Sequence, residues 1–366
     1  MERSTLGQIL LVGLPGSELN SDTARILRKV QPGGFILFGR NIRSAAQLRK
    51  LIDDLRDLSE IDPIITIDQE GGRVSRLKLI GNEPPNAQQI REKNDPALAS
   101  GHGRLTGEIL RIFGFNLDLC PVLDISFNDN ADNSLRGRCY GTSVDQVTQF
   151  AGAFNSALLK TGIMSCGKHF PGYAAAALDP HHDLPRIDRT RRELDETELA
   201  IFRNFSRRVS SMMVCHAWYP AFDEVKTPAS LSGSIVTDLL VNEMAFEGLI
   251  MTDDLDMGAI TNEIGFADAI ERSIVVGNHL AMICHRTQLA EEALLALQRV
   301  PSAILDRALA AIHRFKQGFV AGEPFSEEHF RALNQEIWEL RVATLGLENA
   351  SQPSPDDGKR SPVEVY

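Results

Sequence analysis

One rhythm constrains this chain more than any other feature: short apolar runs, rich in β-branched residues, each followed by a segment of helical period. The runs are Ile9–Leu14, Gly34–Phe38, Ile64–Asp68, Asn116–Leu123, Ile163–Lys168, Met212–His216, Leu249–Thr252 and His279–Ile283. Between them, Leu48, Leu51, Ile52, Leu55 and Leu58 form one helical stripe, entered through Ser44. Val147, Phe150, Ala151, Phe154 and Leu158 form another behind a Ser143/Gln146 capping box, and Leu199, Phe202 and Phe205 a third. Apolar strands alternating with amphipathic helices imply a parallel sheet covered on its outer face. Eight such units in about 300 residues predict an α/β fold, a closed (β/α)8 TIM-type barrel, with one strand allowed to be irregular or incomplete. An open doubly wound sheet is the alternative.

Residues 1–345 read as one barrel domain with a C-terminal helix from about Glu327 to Thr344. Residues 346–366 read as a flexible tail, because Glu348–Tyr366 is polar, rich in Ser, Pro and Asp, and lacks a hydrophobic period. Composition narrows the function. A net charge of −11 repels phosphates and argues against nucleic acid and anionic membranes as partners. Ile9–Leu14 is cut by Gly13, Pro15 and Gly16, too short for a signal peptide or a membrane span. Five cysteines without a Cys-x-x-Cys pair speak against disulfides or zinc, and together these features point to the cytoplasm. An aromatic share of 6% favours a small pocket over a long polysaccharide-stacking groove.

In a barrel of this kind, chemistry gathers at the C-terminal strand ends. Here those ends carry Asp68, Asp124, Lys168-His169, His216 and Asp253-Asp254. Charged groups in such places are costly to bury unless they face a common polar cleft. A lone Asp after a strand is more often a helix cap, and Asp254 or Asp256 can take that part, leaving Asp253 to face the cleft. A second cluster follows Lys168-His-Phe-Pro-Gly172, at Asp179-Pro-His-His-Asp183. Pro180 holds Asp179 extended, so Asp179 and His181, two apart, project the same way. A carboxylate beside an imidazole fixes its tautomer and raises its pKa toward working pH. A solvated loop pair, His181 and His182, is the alternative at this point.

Five segments carry a resemblance to a known family. They are Gly33-Gly-Phe-Ile-Leu-Phe-Gly-Arg-Asn-Ile42, Thr66-Ile-Asp-Gln-Glu-Gly-Gly-Arg-Val74, Pro121-Val-Leu-Asp124, Gly167-Lys-His-Phe-Pro-Gly172 and Asp253-Asp-Leu-Asp-Met257. In order and content they resemble the single-domain bacterial β-N-acetylglucosaminidases (β-hexosaminidases) of glycoside hydrolase family 3. The resemblance implies that Asp253 is the catalytic nucleophile and that Asp179 and His181 form an Asp-His acid/base dyad. It implies that Asp68, Lys168, His169 and Arg138 bind the sugar; on electrostatic grounds, a nearby Lys168 would also help Asp253 stay ionised. It further implies an exo-acting retaining hydrolase of terminal β-linked N-acetylhexosamine from cell-wall-derived saccharides. A small saccharide is then the partner, with no cofactor and no metal; Ile9–Leu14 also lacks the paired histidines a metal-dependent barrel hydrolase would need. Two other readings stay open. A neutral histidine base would not repel phosphate, so a phosphorylase releasing the sugar 1-phosphate is one. A sugar-binding pseudoenzyme is the other. The chain departs from the family pattern at Tyr173-Ala-Ala-Ala176, where His-Gly-Asp-Thr is usual, at Leu135-Arg-Gly-Arg138, and at His279, where Asp is common.

Overall fold

The computed structural model describes residues 3–130, 133–173, 184–261 and 264–352. Its centre is a closed barrel of parallel strands: β1 (Leu10–Gly13), β2 (Gly34–Leu37), β3 (Ile64–Ile67), β4 (Leu117–Asp118), β5 (Met164–Phe170), β6 (Ser211–Val214), β7 (Leu249–Asp254) and β8 (Leu280–Ile283). Each strand pairs with its neighbours in sequence, and β1 closes on β8 through Leu10↔Ala281. Sequential right-handed crossovers produce this order whenever every strand is followed by a helix on the outside. The strands are buried on both faces, inward by each other and outward by the helices.

The runs read from sequence all become barrel strands. The irregular one is β4, only two residues long. Pro121 follows it, and proline has no N–H for the ladder, so regular pairing stops. The chain rejoins the barrel at the bridge Val122↔Lys168. Helix starts follow the local chemistry. Ser44 accepts the Gln47 N–H to open helix Ala45–Leu58, whose Leu48, Leu51, Ile52 and Leu55 are buried. Ser143 accepts the Gln146 N–H, but the Gln146 side chain reaches one residue further back, to the Thr142 N–H.

Helix Glu327–Leu345 packs on helix Pro96–Phe113, where Phe330 meets Phe113 edge to face. Where the sequence reads as a tail, the described residues continue as helix Leu347–Ala350. Arg341 holds that turn by donating to the Ala350 and Gln352 carbonyls. Residues 353–366 lie outside the described residues. Among the described residues, no helix is long and apolar enough to cross a membrane.

Candidate active site

The C-terminal ends of the strands converge on one pocket. Ile36, Phe38, Leu119, Met213 and Met282 make its apolar floor, and Asp68, Arg138, Lys168, His169, Asp253 and Asp254 its polar wall. Directly after β3 the chain turns through a small hairpin, Gln69–Gly71 against Val74–Ser75. Gly71 makes that turn at φ +97°, and a Cβ there would meet the Pro85 carbonyl oxygen at 2.3 Å. The hairpin presents Asp68 and Glu70, two apart in extended chain, to the same side.

Those two carboxylates receive the cations of neighbouring elements. Lys168 Nζ lies 2.6 Å from both Asp68 Oδ1 and Glu70 Oε1. Arg138 grips Glu70 with two parallel bonds, Nε to Oε2 at 2.7 Å and Nη2 to Oε1 at 2.8 Å. Arg76 lies 3.6 Å from the other oxygen of Asp68. His169 donates from Nδ1 to Asp124 Oδ2 at 2.7 Å, and Arg138 Nη2 faces its Nε2 at 3.4 Å. A carboxylate on one ring nitrogen and a guanidinium on the other place the proton on Nδ1.

The energetics follow from burial. Asp68, Glu70, Lys168 and Arg138 are all at least 95% buried, so each charge would be costly alone. Burial by itself would push the Glu70 carboxyl up, but Arg138 and Lys168 more than offset it and hold it far below the usual carboxylate range. Burial likewise opposes the charge on Lys168, and Asp68 and Glu70 outweigh it to raise the ammonium's pKa. Lys168, Arg138 and Arg76 thus gather on Asp68 and Glu70, while Asp124 receives His169. The buried Asp118 beneath them, which accepts the Gln69 N–H, has no such cation of its own, and burial pushes its carboxyl up.

On the opposite wall Asp253 ends β7, half-buried, with Oδ1 accepting the Asp254 N–H at 2.8 Å. Asp254 and Asp256 bind backbone N–H groups of the loop after β8. Asp254 Oδ1 accepts the N–H groups of Cys284 and Asp256, and Asp256 Oδ2 accepts those of His285 and Arg286. They tie the end of β7 to the loop after β8, because two adjacent parallel strands leave their following N–H groups within reach. Burial first, then neighbouring Asp256, pushes the Asp254 carboxyl up. His216, just past β6, donates from Nε2 to the Asp254 carbonyl at 2.9 Å and accepts at Nδ1 from Ser230 Oγ, holding β6 to β7.

The structure thus brings together Asp68, Arg138, Lys168, His169 and Asp253. Asp179 and His181 lie outside the described residues. Lys168 Nζ makes its ion pairs with Asp68 and Glu70. Sequence reasoning missed Glu70, the hub of the cluster, although its spacing from Asp68 on an extended segment was a usable signal. It also left Asp124, Tyr173 and His285 without roles, and for the last two no local pattern marks them as pocket residues. Among the described residues, no group of three or more His, Cys, Asp or Glu could hold a metal ion.

A parallel barrel with a buried charge cluster facing a half-buried carboxylate across one pocket defines a class: barrel enzymes that orient a small polar substrate. The model of the glycosyl hydrolase family 3 N-terminal domain matches residues 2–315. A β-hexosaminidase from Pseudomonas aeruginosa is 32% identical over 292 residues, covering 80% of this chain and 86% of that relative. Among solved structures, a family 3 β-N-acetylglucosaminidase from Paenibacillus sp. superposes with a TM-score of 0.85 at 29% identity, over 93% of this chain and 68% of that one. NagZ from Neisseria gonorrhoeae, solved with N-trifluoroacetyl-D-glucosamine, gives 0.78 at 27% identity over 95% and 98%. The chain belongs to glycosyl hydrolase family 3 and is a glycoside hydrolase.

Proposed function

We propose that the protein is an exo-acting retaining β-N-acetylglucosaminidase, with Asp253 as nucleophile and His181, oriented by Asp179, as acid and then base. The observation that carries this reading is the pocket itself. A half-buried carboxylate at the end of β7 faces a fixed array of hydrogen-bonding groups on β3, β5 and the loop after β4. The β-hexosaminidase relative from Pseudomonas aeruginosa and the ligand of the Neisseria structure support the choice of sugar.

In the first step an Asp253 carboxylate oxygen bonds to the anomeric carbon. The bond from that carbon to the leaving oxygen breaks, and the His181 imidazolium gives that oxygen its proton. In the second, neutral His181 takes a proton from water, the hydroxide oxygen bonds to the anomeric carbon, and Asp253 departs. Asp68, Lys168, His169 and Arg138 hold the sugar by charge-assisted hydrogen bonds. Their mutual pairing fixes them before substrate arrives, so little ordering remains to be done on binding. Terminal N-acetylhexosamine of cell-wall-derived saccharides, hydrolysed in the cytoplasm, is the substrate we assign. Five buried free cysteines suit a reducing compartment.

The test is turnover of an aryl β-N-acetylglucosaminide with and without phosphate. Free N-acetylglucosamine supports the reading. A sugar 1-phosphate replaces it with phosphorolysis. Sugar binding without turnover replaces it with a pseudoenzyme.

A further inference from the structure

We infer that Tyr173 is a positioning residue for the substrate pocket, bracing His169 and the loop that carries Arg138 against each other. The inference rests on the sugar-binding role proposed above for those two side chains. Tyr173 lines the pocket, is only 6% exposed, and is the last described residue before the segment that carries Asp179 and His181.

Three contacts fix it. Its N–H donates to Asp124 Oδ1 at 2.9 Å, while the other oxygen of the same carboxylate takes the N–H and Nδ1–H of His169. Its ring meets the His169 imidazole edge on, centroids 4.8 Å apart and planes at 74°. Its hydroxyl shares a hydrogen bond of 3.1 Å with Ser134 Oγ. Ser134 is in turn the residue whose carbonyl accepts Arg138 Nη1 at 3.1 Å.

The described part of the loop, 133–143, contains no helix or strand; the Gln88 and Ser126 N–H groups hold the Gly137 and Gly141 carbonyls, while side-chain hydrogen bonds hold Ser134. Glu70 holds one edge of the Arg138 guanidinium and Ser134 holds the other. Tyr173 is the described side chain that ties Ser134 to the β5 side of the site. Burial, with Asp124 nearby, pushes the phenol's pKa well above its ordinary range despite Arg138, so the hydroxyl stays a neutral hydrogen-bonding group at working pH. Removing it leaves the Glu70 grip and the Ser134 carbonyl bond in place but loosens the residue that carries that carbonyl.

The experiment compares Tyr173→Phe, Ser134→Ala and the double variant in the full chain, on an aryl β-N-acetylglucosaminide. Each single change should raise KM, and the inhibition constant of free N-acetylglucosamine, by about 3- to 10-fold, the worth of one neutral hydrogen bond. The change in kcat should stay within about 2-fold, and the double variant should match either single one, because both remove the same bond. Wild-type KM in either single variant overturns the inference. Effects that multiply in the double variant also overturn it, and so does a lowered Tm with unchanged KM, which would make Tyr173 merely structural. If the wild type neither turns over nor binds the sugar, the functional reading fails and the substrate role of Tyr173 falls with it.

Discussion

The two ends of this barrel bury polar side chains for opposite reasons. At the N-terminal ends of the strands, polar side chains are spent largely on backbone. Asn116 accepts the Ile65 N–H at 2.8 Å and donates to the Pro63 carbonyl at 2.9 Å. Gln8 donates to the Gln31 carbonyl, and His279 accepts the Ile250 N–H at 3.1 Å. These side chains satisfy strand-entry groups that the ladder leaves unpaired. At the C-terminal ends of β3 to β5, the polar side chains largely satisfy one another, while Asp254, Asp256 and His216 bind backbone near β7. Asp68, Glu70, Lys168 and Arg138 form a network of paired charges, flanked by the hydrogen-bonded Asp124 and His169, that presents one face to a pocket. Substitution at the first end should therefore cost stability, and at the second should cost activity first.

The largest expected effect is Asp253→Ala. Turnover should fall by about 10³-fold or more while the urea midpoint stays near wild type. Activity within tenfold of wild type would end its assignment as nucleophile. His181→Ala should come next, with a loss of about 10²- to 10⁴-fold on glycosides with poor leaving groups and far less on activated aryl glycosides. Equal losses on both would remove His181 from the acid role.

Glu70→Gln breaks the contrast on purpose, because it leaves Lys168 and Arg138 with one carboxylate fewer in a buried place. We expect about 3 kcal/mol of lost stability together with at least tenfold lower kcat/KM. A change in kcat/KM without any change in the unfolding midpoint would show that the pair is less buried than described. Asn116→Ala, at the other end, should cost about 1–3 kcal/mol by stranding a backbone N–H and a carbonyl. Its kcat/KM should be unchanged at temperatures where it is folded, and a kinetic defect there would erase the distinction between the ends.

The smallest expected effect concerns His102, which belongs to neither set. It is fully buried, neither ring nitrogen has a hydrogen-bond partner among the described residues, and burial pushes its pKa down to about 3. The unfolded chain, with an ordinary value near 6.5, therefore binds this proton first as pH falls. Its contribution to stability is present at pH 7 and above and is lost as pH drops through about 6 toward 3. Denaturant midpoints at pH 7 and pH 5 should differ by about 1–2 kcal/mol, and His102→Phe should remove most of that difference. An unchanged pH dependence in the variant would place the titration elsewhere.

Much of this was legible in the chain alone. The alternation of apolar strands and helical stripes determined the barrel, because both periods are local and each strand buries both faces. Asp68, Lys168, His169 and Asp253 were visible because a residue ending a barrel strand has one place to go. Their partners were not legible. Lys168 binds Asp68 and Glu70 from β3, a contact across a hundred residues that no spacing encodes. Asp254 and Asp256 read as helix caps by local rule, and adjacency of β7 and β8 gives them the backbone of the loop after β8. Tyr173 and Ser134 meet only because the loops after β4 and β5 fold over the same pocket. Local chemistry determines which elements form and where their polar ends lie. Which of those ends neutralise each other is decided by closure of the barrel, since only closure brings strands distant in sequence to within hydrogen-bonding distance.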